Sequence, residues 1–140
     1  MKRVNTMRRL LLPLSCAAAT VCLGLGADQA PGLFSEQQAK HGAVVYGRKC
    51  AACHGAALDG GQEAPALKGE DFWIEWEHQT ARSLYGRIIS SMPPDGPGTL
   101  AEKDVIDLVA HIVHANSVPP GGKTIEAPAE LNAIKLERPK

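Results

Sequence analysis

Five consecutive residues, Cys50-Ala51-Ala52-Cys53-His54, constrain this chain more than any other stretch. Two cysteines three apart, with a histidine directly after, read as a c-type haem attachment site. Positions i and i+3 lie on the same face of one helical turn. Two thiols there can each add to one vinyl group of a haem and form two thioether bonds. The adjacent histidine is carried to the iron and can ligate it through one imidazole nitrogen. Two other chemistries use similar residues. A thioredoxin-like dithiol expects a βαβ setting, and no stretch of the sequence reads as a parallel sheet. A structural zinc site wants four tetrahedral ligands, usually from two separated pairs, and no second Cys/His pair follows downstream. The haem reading requires a pocket, a second axial ligand and a suitable compartment from the rest of the chain.

The N-terminus speaks to the compartment. Lys2, Arg3, Arg8 and Arg9 precede an apolar run from Leu10 to Gly26, with no acid among them. A basic start, an apolar middle and small residues afterwards make a secretory signal peptide. Pro13 and the shortness of the run argue against a permanent membrane span; an uncleaved anchor is the alternative. We expect a signal over residues 1–27, cut somewhere in 24–30. Cleavage removes Cys16 and Cys22, so only Cys50 and Cys53 of the four cysteines remain. An oxidising export compartment favours pairing such thiols, whereas thioethers to a haem use both.

Cleavage also removes four basic residues and no acid. Eleven Lys and Arg then face fifteen Asp and Glu, a balance near −4. That excludes a nucleic-acid binder, which wants a basic face. The remaining domain has about 110 residues and only six aromatic side chains. A small domain with few large core pieces needs a staple, and a covalent haem is both staple and core.

Residues 28–34 form a lead-in broken by Pro31-Gly32. Ser35 and Gln38 form a capping box, and the spacing after them predicts a helix from Glu36 to Arg48. Gly42 inside it points to close approach of another helix. After His54, Gly55, Gly60, Gly61 and Ala64-Pro65-Ala66-Leu67 read as a loop. Its glycines either let backbone pass close to a haem edge or simply make it flexible. Glu70 to His78 reads as a short helix or turn carrying Phe72, Trp73 and Trp76. The two indoles are candidate contacts to haem propionates, with core packing as the other reading. Thr80 is placed to cap a helix from Ala81 to Ser90. Ser91-Met92-Pro93-Pro94 then makes a proline-braced turn. Met92 is the only methionine outside the signal segment. A thioether is a soft iron ligand, and iron held by Met and His has a raised potential; filling the core is the alternative role. Thr99 to Glu102 reads as a second capping box. Val105, Leu108, Val109 and Ile112 predict a helix to about Ala115, with Asp104 and Asp107 outside and Asn116 as its stop. Residues 117–140 form a Pro/Gly-rich tail with one short helix expected over 129–135. We expect it to dock, to cover the haem, or only to pack. No stretch reads as a strand.

A helix leading into Cys50-Ala51-Ala52-Cys53-His54, then Ala64-Pro65-Ala66-Leu67, a middle helix, Ser91-Met92-Pro93 and a final amphipathic helix resemble a class I c-type cytochrome. The resemblance runs from about Phe34 to Asn116, so residues 35–116 are expected to be the cytochrome c domain. It implies a small all-α fold, with helices packed around one covalently attached haem c. It implies that Cys50 and Cys53 carry the thioethers and that His54 and Met92 are the axial iron ligands. Pro65 resembles the family's proline whose carbonyl accepts from the other nitrogen of the ligand histidine. In the family the last helix often brings an aromatic to its crossing with the first. Here that string is Ala110-His111-Ile112. The Phe72-Trp73 and Met92-Pro93-Pro94 stretches further resemble bacterial monohaem cytochromes associated with quinoprotein dehydrogenases.

The function expected is a periplasmic carrier of single electrons. Two protein ligands leave the iron no open position for substrate. Its partners would be other redox proteins: a periplasmic dehydrogenase as donor, and an oxidase or another cytochrome as acceptor. No nucleic acid is expected, and no membrane span once the signal is cut. Two alternatives remain: a haem enzyme or gas sensor, if Met92 leaves the iron open, and a dedicated electron-accepting subunit of one dehydrogenase. His41, His78, His111 and His114 have no part in any of these.

Overall fold

A computed structural model describes residues 33–140. The signal segment with Cys16 and Cys22, and most of the lead-in, lie outside the described residues. The described chain is all-α: α1 (Glu36–Lys49), α2 (Ala51–His54), α3 (Glu70–Trp76), α4 (Ala81–Ser91), α5 (Glu102–Ala115) and a 3-10 turn at Pro128–Ala133. Among the described residues, β-type pairing is confined to two isolated bridges.

The Ser35 hydroxyl accepts from Gln38 N–H at 3.2 Å, and Gln38 Oε1 accepts from Ser35 N–H at 3.3 Å, so the first capping box forms. From there α1 buries Gln38, Ala39, Gly42, Val45 and Tyr46. Those positions make one helical stripe. The stripe lies against α5. Gly42 permits the contact, because a β-carbon there would collide with the Asp107 backbone carbonyl.

α5 is the central helix and is buried almost all round. This corrects one expectation. Asp107 was read as outward-facing, and it is fully buried. α1 crosses over that side of α5 and brings the groups the carboxylate needs. Oδ1 accepts from Gln38 Nε2 at 3.1 Å, and Oδ2 accepts from Lys103 Nζ at 2.6 Å and lies 2.8 Å from His41 Nδ1. A buried charge persists only with such partners.

The second capping box does not form. α5 begins after Ala101, which offers no side-chain cap. Thr99 Oγ1 instead donates to the Gly96 carbonyl at 2.6 Å and tightens the preceding turn. Thr80 does sit at the start of α4, but its hydroxyl makes no capping bond. Its backbone pairs with Lys135.

That pairing shows what the segment after Ser117 does. Gly121 N–H donates to the Phe34 carbonyl at 2.7 Å. Gln38 holds the backbone of Ile125 at both its N–H and its carbonyl. Residues 134–136 then lie antiparallel to residues 78–81, through His78 N–H to Leu136 O, Leu136 N–H to Gln79 O and Ala81 N–H to Ile134 O. Leu131, Ile134 and Leu136 are fully buried, each worth about 1.5–3 kcal/mol in transfer terms. Arg138 closes the clasp with ion pairs to Glu70 and Glu77 on either end of α3. The expected helix over 129–135 is the 3-10 turn, displaced by one residue at its start.

Candidate haem site

α1 delivers Cys50 directly: its N–H still donates to the Tyr46 carbonyl at 2.9 Å. The backbone breaks at Cys50 and re-enters helix for the single turn of α2. Cys50 is half-buried and Cys53 exposed, and no disulfide joins them. Burial pushes the Cys50 thiol above its usual range, and the neighbouring Cys53 adds to the shift. Among the described residues, no three His, Cys, Asp or Glu side chains converge as a metal site. Cys50, Cys53 and His54 are therefore not arranged as a zinc centre. The described residues likewise form no parallel sheet around the two cysteines, the setting that a thioredoxin-like dithiol expects.

Gly55 ends α2 with φ +79°. The loop then curls on itself. Leu58 N–H donates to Gly55 O, Gly60 N–H to His54 O, Gly61 N–H to Ala64 O and Leu67 N–H to Leu58 O. A β-carbon on Gly60 would lie 2.7 Å from the Ala66 nitrogen, so this glycine serves the loop's approach to itself. The curl returns the Pro65 carbonyl to His54 Nδ1 at 2.8 Å. A carbonyl oxygen can only accept, so Nδ1 carries the proton and donates. Nε2 is left with its lone pair and no hydrogen bond to the protein. His54 is otherwise buried.

Two residues that hold this loop were not singled out from the sequence. Asn116, read only as a helix stop, donates through Nδ2 to Leu67 O at 2.9 Å and accepts at Oδ1 from Gly69 N–H at 3.0 Å. It fastens the loop that carries Pro65 to the end of α5. Tyr46 donates its hydroxyl to the Gly55 carbonyl at 2.6 Å. The partners lie far apart in sequence in the first case, and a core tyrosine looks like any other helix-face aromatic in the second.

Met92 sits at the C-terminal end of α4, its N–H bonded to Ile88 O at 3.0 Å. The peptide bond to Pro93 is cis. Like Cys50, Ala51, Leu67, Ile89 and Leu100, Met92 is half-buried with one side against the core. Trp73 and Trp76 are buried core residues, and Trp73 stands edge-on to Phe72 at 5.1 Å. Neither indole bonds to the motif or to Pro65. His111 meets the Tyr46 ring at 5.4 Å, so the α1–α5 crossing has a tyrosine from α1 and a histidine from α5. Burial first, and His114 second, push His111 below its usual range.

The family model described as "Cytochrome C oxidase, cbb3-type, subunit III" matches residues 37–112, more than half of the chain. The chain belongs to this cytochrome c family. As a class I c-type cytochrome it has the helical order the family requires, with the attachment motif between α1 and the first loop. No curated protein matches the sequence. Among solved structures, the cytochrome is similar to the sulfane dehydrogenase SoxCD from Paracoccus pantotrophus. The TM-score is 0.60 at 21% identity, over 93% of this chain and 67% of that one. At that identity the likeness is one of fold. No helix among the described residues is long and apolar enough to cross a membrane.

Proposed function

We propose that the protein is an exported monohaem cytochrome that carries single electrons between redox partners. Cys50 and Cys53 would hold the haem through thioethers, and His54 and Met92 would ligate its iron. The observation that carries the reading is the His54–Pro65 bond. It uses up Nδ1 and leaves Nε2 as the one donor atom of a buried ring. Two further features support the fit: two thiols not joined to each other on one short turn, and a single methionine half-buried at the end of a helix. When bound, the haem supplies a one-electron couple between Fe(II) and Fe(III).

The protein's residues do the rest. Pro65 fixes the plane of the His54 ring and makes Nε2 a stronger donor. Met92 presents a soft sulfur, which favours the reduced state and raises the potential. The curled loop and Asn116 hold Pro65 in place. With His54 and Met92 both holding the iron, a change of oxidation state would demand little rearrangement of these residues. The indoles of Trp73 and Trp76 remain candidate donors to propionates. Export through the basic-apolar N-terminal segment puts the carrier in the periplasm, with a dehydrogenase on one side and an oxidase or cytochrome on the other.

A second reading is an electron-accepting subunit bound to one enzyme. It draws on the SoxCD likeness, that protein being a dehydrogenase, and on the oxidase-subunit description of the family. Co-purification from native periplasm separates the two: a stoichiometric dehydrogenase partner favours the subunit, and its absence the shuttle. The main experiment is a spectrum of the purified protein in both redox states, with a redox titration. A low-spin spectrum with a sulfur-to-iron band, unchanged by carbon monoxide, is expected. Rapid carbon monoxide binding by the fresh protein would replace the carrier with a haem enzyme or gas sensor.

A further inference from the structure

Tyr46 occupies an unusual junction. Its ring is 2% exposed, on the buried face of α1. Its hydroxyl donates to the carbonyl of Gly55, the residue directly after His54, at 2.6 Å. One face of the ring meets His111 of α5, with centroids 5.4 Å apart and planes inclined by 53°. The His111 β-carbon in turn would lie 2.9 Å from a β-carbon on Gly42, at the closest point of the helix crossing. A continuous line of contacts therefore runs from the α1–α5 crossing to the turn that carries His54.

His54 and the peptide after it are held from several sides. The His54 N–H donates to the Cys50 carbonyl at 3.0 Å, within the turn of α2. Pro65 holds its ring. Gly60 N–H holds its carbonyl at 2.8 Å. The Gly55 carbonyl accepts from Leu58 N–H at 3.2 Å and from the Tyr46 hydroxyl. The Pro65, Gly60 and Leu58 bonds all come from residues 55–67. The Tyr46 hydroxyl comes from α1, so it ties the turn that carries His54 to the α1–α5 pair. Gly55 stands at φ +79°, where the chain leaves α2.

We propose that Tyr46 is a positioning residue for His54, its hydroxyl setting the direction in which the imidazole presents Nε2, with His111 setting the tilt of the Tyr46 ring. The proposal rests on His54 being the iron ligand. The Gly55 carbonyl belongs to the peptide next to His54, so the bond acts on the imidazole through the backbone that sets its orientation, and its loss is read at the iron rather than only in stability.

The test is the Tyr46→Phe holoprotein, which removes one oxygen and keeps the ring on His111. The readouts are the midpoint potential, the paramagnetically shifted resonances of the His54 ring in the oxidised state, and thermal stability. The expected result is a shift in both the potential and the His54 resonances. His111→Phe keeps an aromatic on Tyr46 and keeps the hydroxyl, so its His54 resonances should stay nearer the wild type. A lower melting temperature with unchanged potential and unchanged resonances in Tyr46→Phe overturns the proposal. If Tyr46→Phe yields no holoprotein, 3-fluorotyrosine labelling in a Tyr85→Phe background takes its place. The chain has two tyrosines, so Tyr46 alone is then labelled, as a stronger donor of nearly unchanged shape. Unmoved His54 resonances there also overturn the role. A wild-type protein with no low-spin haem spectrum overturns the ligand reading itself, which is a separate outcome from a normal spectrum that the variant leaves unmoved.

Discussion

Gly42 of α1 lies directly against the backbone carbonyl of Asp107 on α5, and no side chain fits between them. The two longest helices meet there backbone to backbone, with the His111 β-carbon beside the contact. Gly42→Ala should therefore destabilise the holoprotein by about 1–3 kcal/mol, the usual cost of overpacking. Gly47 is the control: it lies in the same helix with nothing within 4 Å of a β-carbon. Gly47→Ala should stabilise by about 0.5–1 kcal/mol through helix propensity. Denaturant midpoints of the two variants should move in opposite directions.

The buried Asp107 carboxylate tests whether charge or hydrogen bonding secures the crossing. Asp107→Ala should cost about 1–3 kcal/mol. Gln38 would keep its second bond, to the Ile125 carbonyl, and His41 and Lys103 are exposed enough to be rehydrated. Asp107→Asn retains an acceptor for Gln38 and should cost less. Equal losses in the two variants, by urea unfolding, would assign the stabilisation to the charge.

Met92→Ala should lower the midpoint potential and open the iron to added ligands. Axial ligands command a span of about 0.8 V in haem proteins, so the change is well within the reach of a spectroelectrochemical titration. Carbon monoxide should bind the reduced variant and not the wild type. An unchanged potential would remove Met92 from the ligand set.

Acid should loosen the segment after Ser117. Lys123, and then the backbone N–H groups of Glu126 and Ala127, hold the Glu130 carboxyl down at about 2 against an ordinary 4.5. Its folded value is the lower one. The stability it contributes is present above pH 4.5 and is lost as pH falls from 4.5 towards 2. Carboxyl NMR should show Glu130 titrating near 2, and Lys123→Ala should move that midpoint upward. The protection of the Glu126 and Ala127 amides, relative to their intrinsic exchange at each pH, should fall over the same interval.

Alkali probes the other end. Burial first, and the neighbouring Cys50 and Asp59 after it, push the Tyr46 hydroxyl up to about 12. The folded protein thus keeps a proton that the unfolded chain releases near 10. That stability is complete below pH 10 and is lost as pH rises from 10 to 12. Tyr46→Phe should flatten the alkaline limb of a stability–pH curve.

The sequence displayed what depends on neighbours along the chain. Ser35 with Gln38 is a local pattern, and the fold uses it as read. In α1 the helix forms, with Ala39 and Tyr46 buried, while Ala43 and Val44, which also fall at helical spacing, are exposed because the crossing with α5 selects Gly42 and Val45 instead. The structure departs from the local pattern where a residue finds a partner other than the one its spacing names. Asp107 has the spacing of an outward position and is buried because α1 crosses there. Thr99 has the spacing of a cap and bonds backward to Gly96 instead. Residues 117–140 carry few long periodic patterns, yet Leu131, Ile134 and Leu136 are core. They pack as separate side chains along an irregular backbone, which leaves no period to detect. At the candidate site, the bond between His54 and the Pro65 carbonyl is the one that the family resemblance implies. The bonds of Asn116 and Tyr46 could not be read from the sequence, since each acts through a backbone carbonyl that no sequence pattern marks.

The clasp of residues 134–136 on residues 78–81 sets an order in time. Synthesis proceeds from the N-terminus. Cys50, Cys53 and His54 therefore emerge with α1 well before Leu136 is available to pair with Gln79 at the start of α4. Until then the three backbone bonds between residues 78–81 and 134–136 are unmade. The start of α4 thus waits for a partner made more than fifty residues later, and the helix that ends in Met92 is the one whose contacts are completed late.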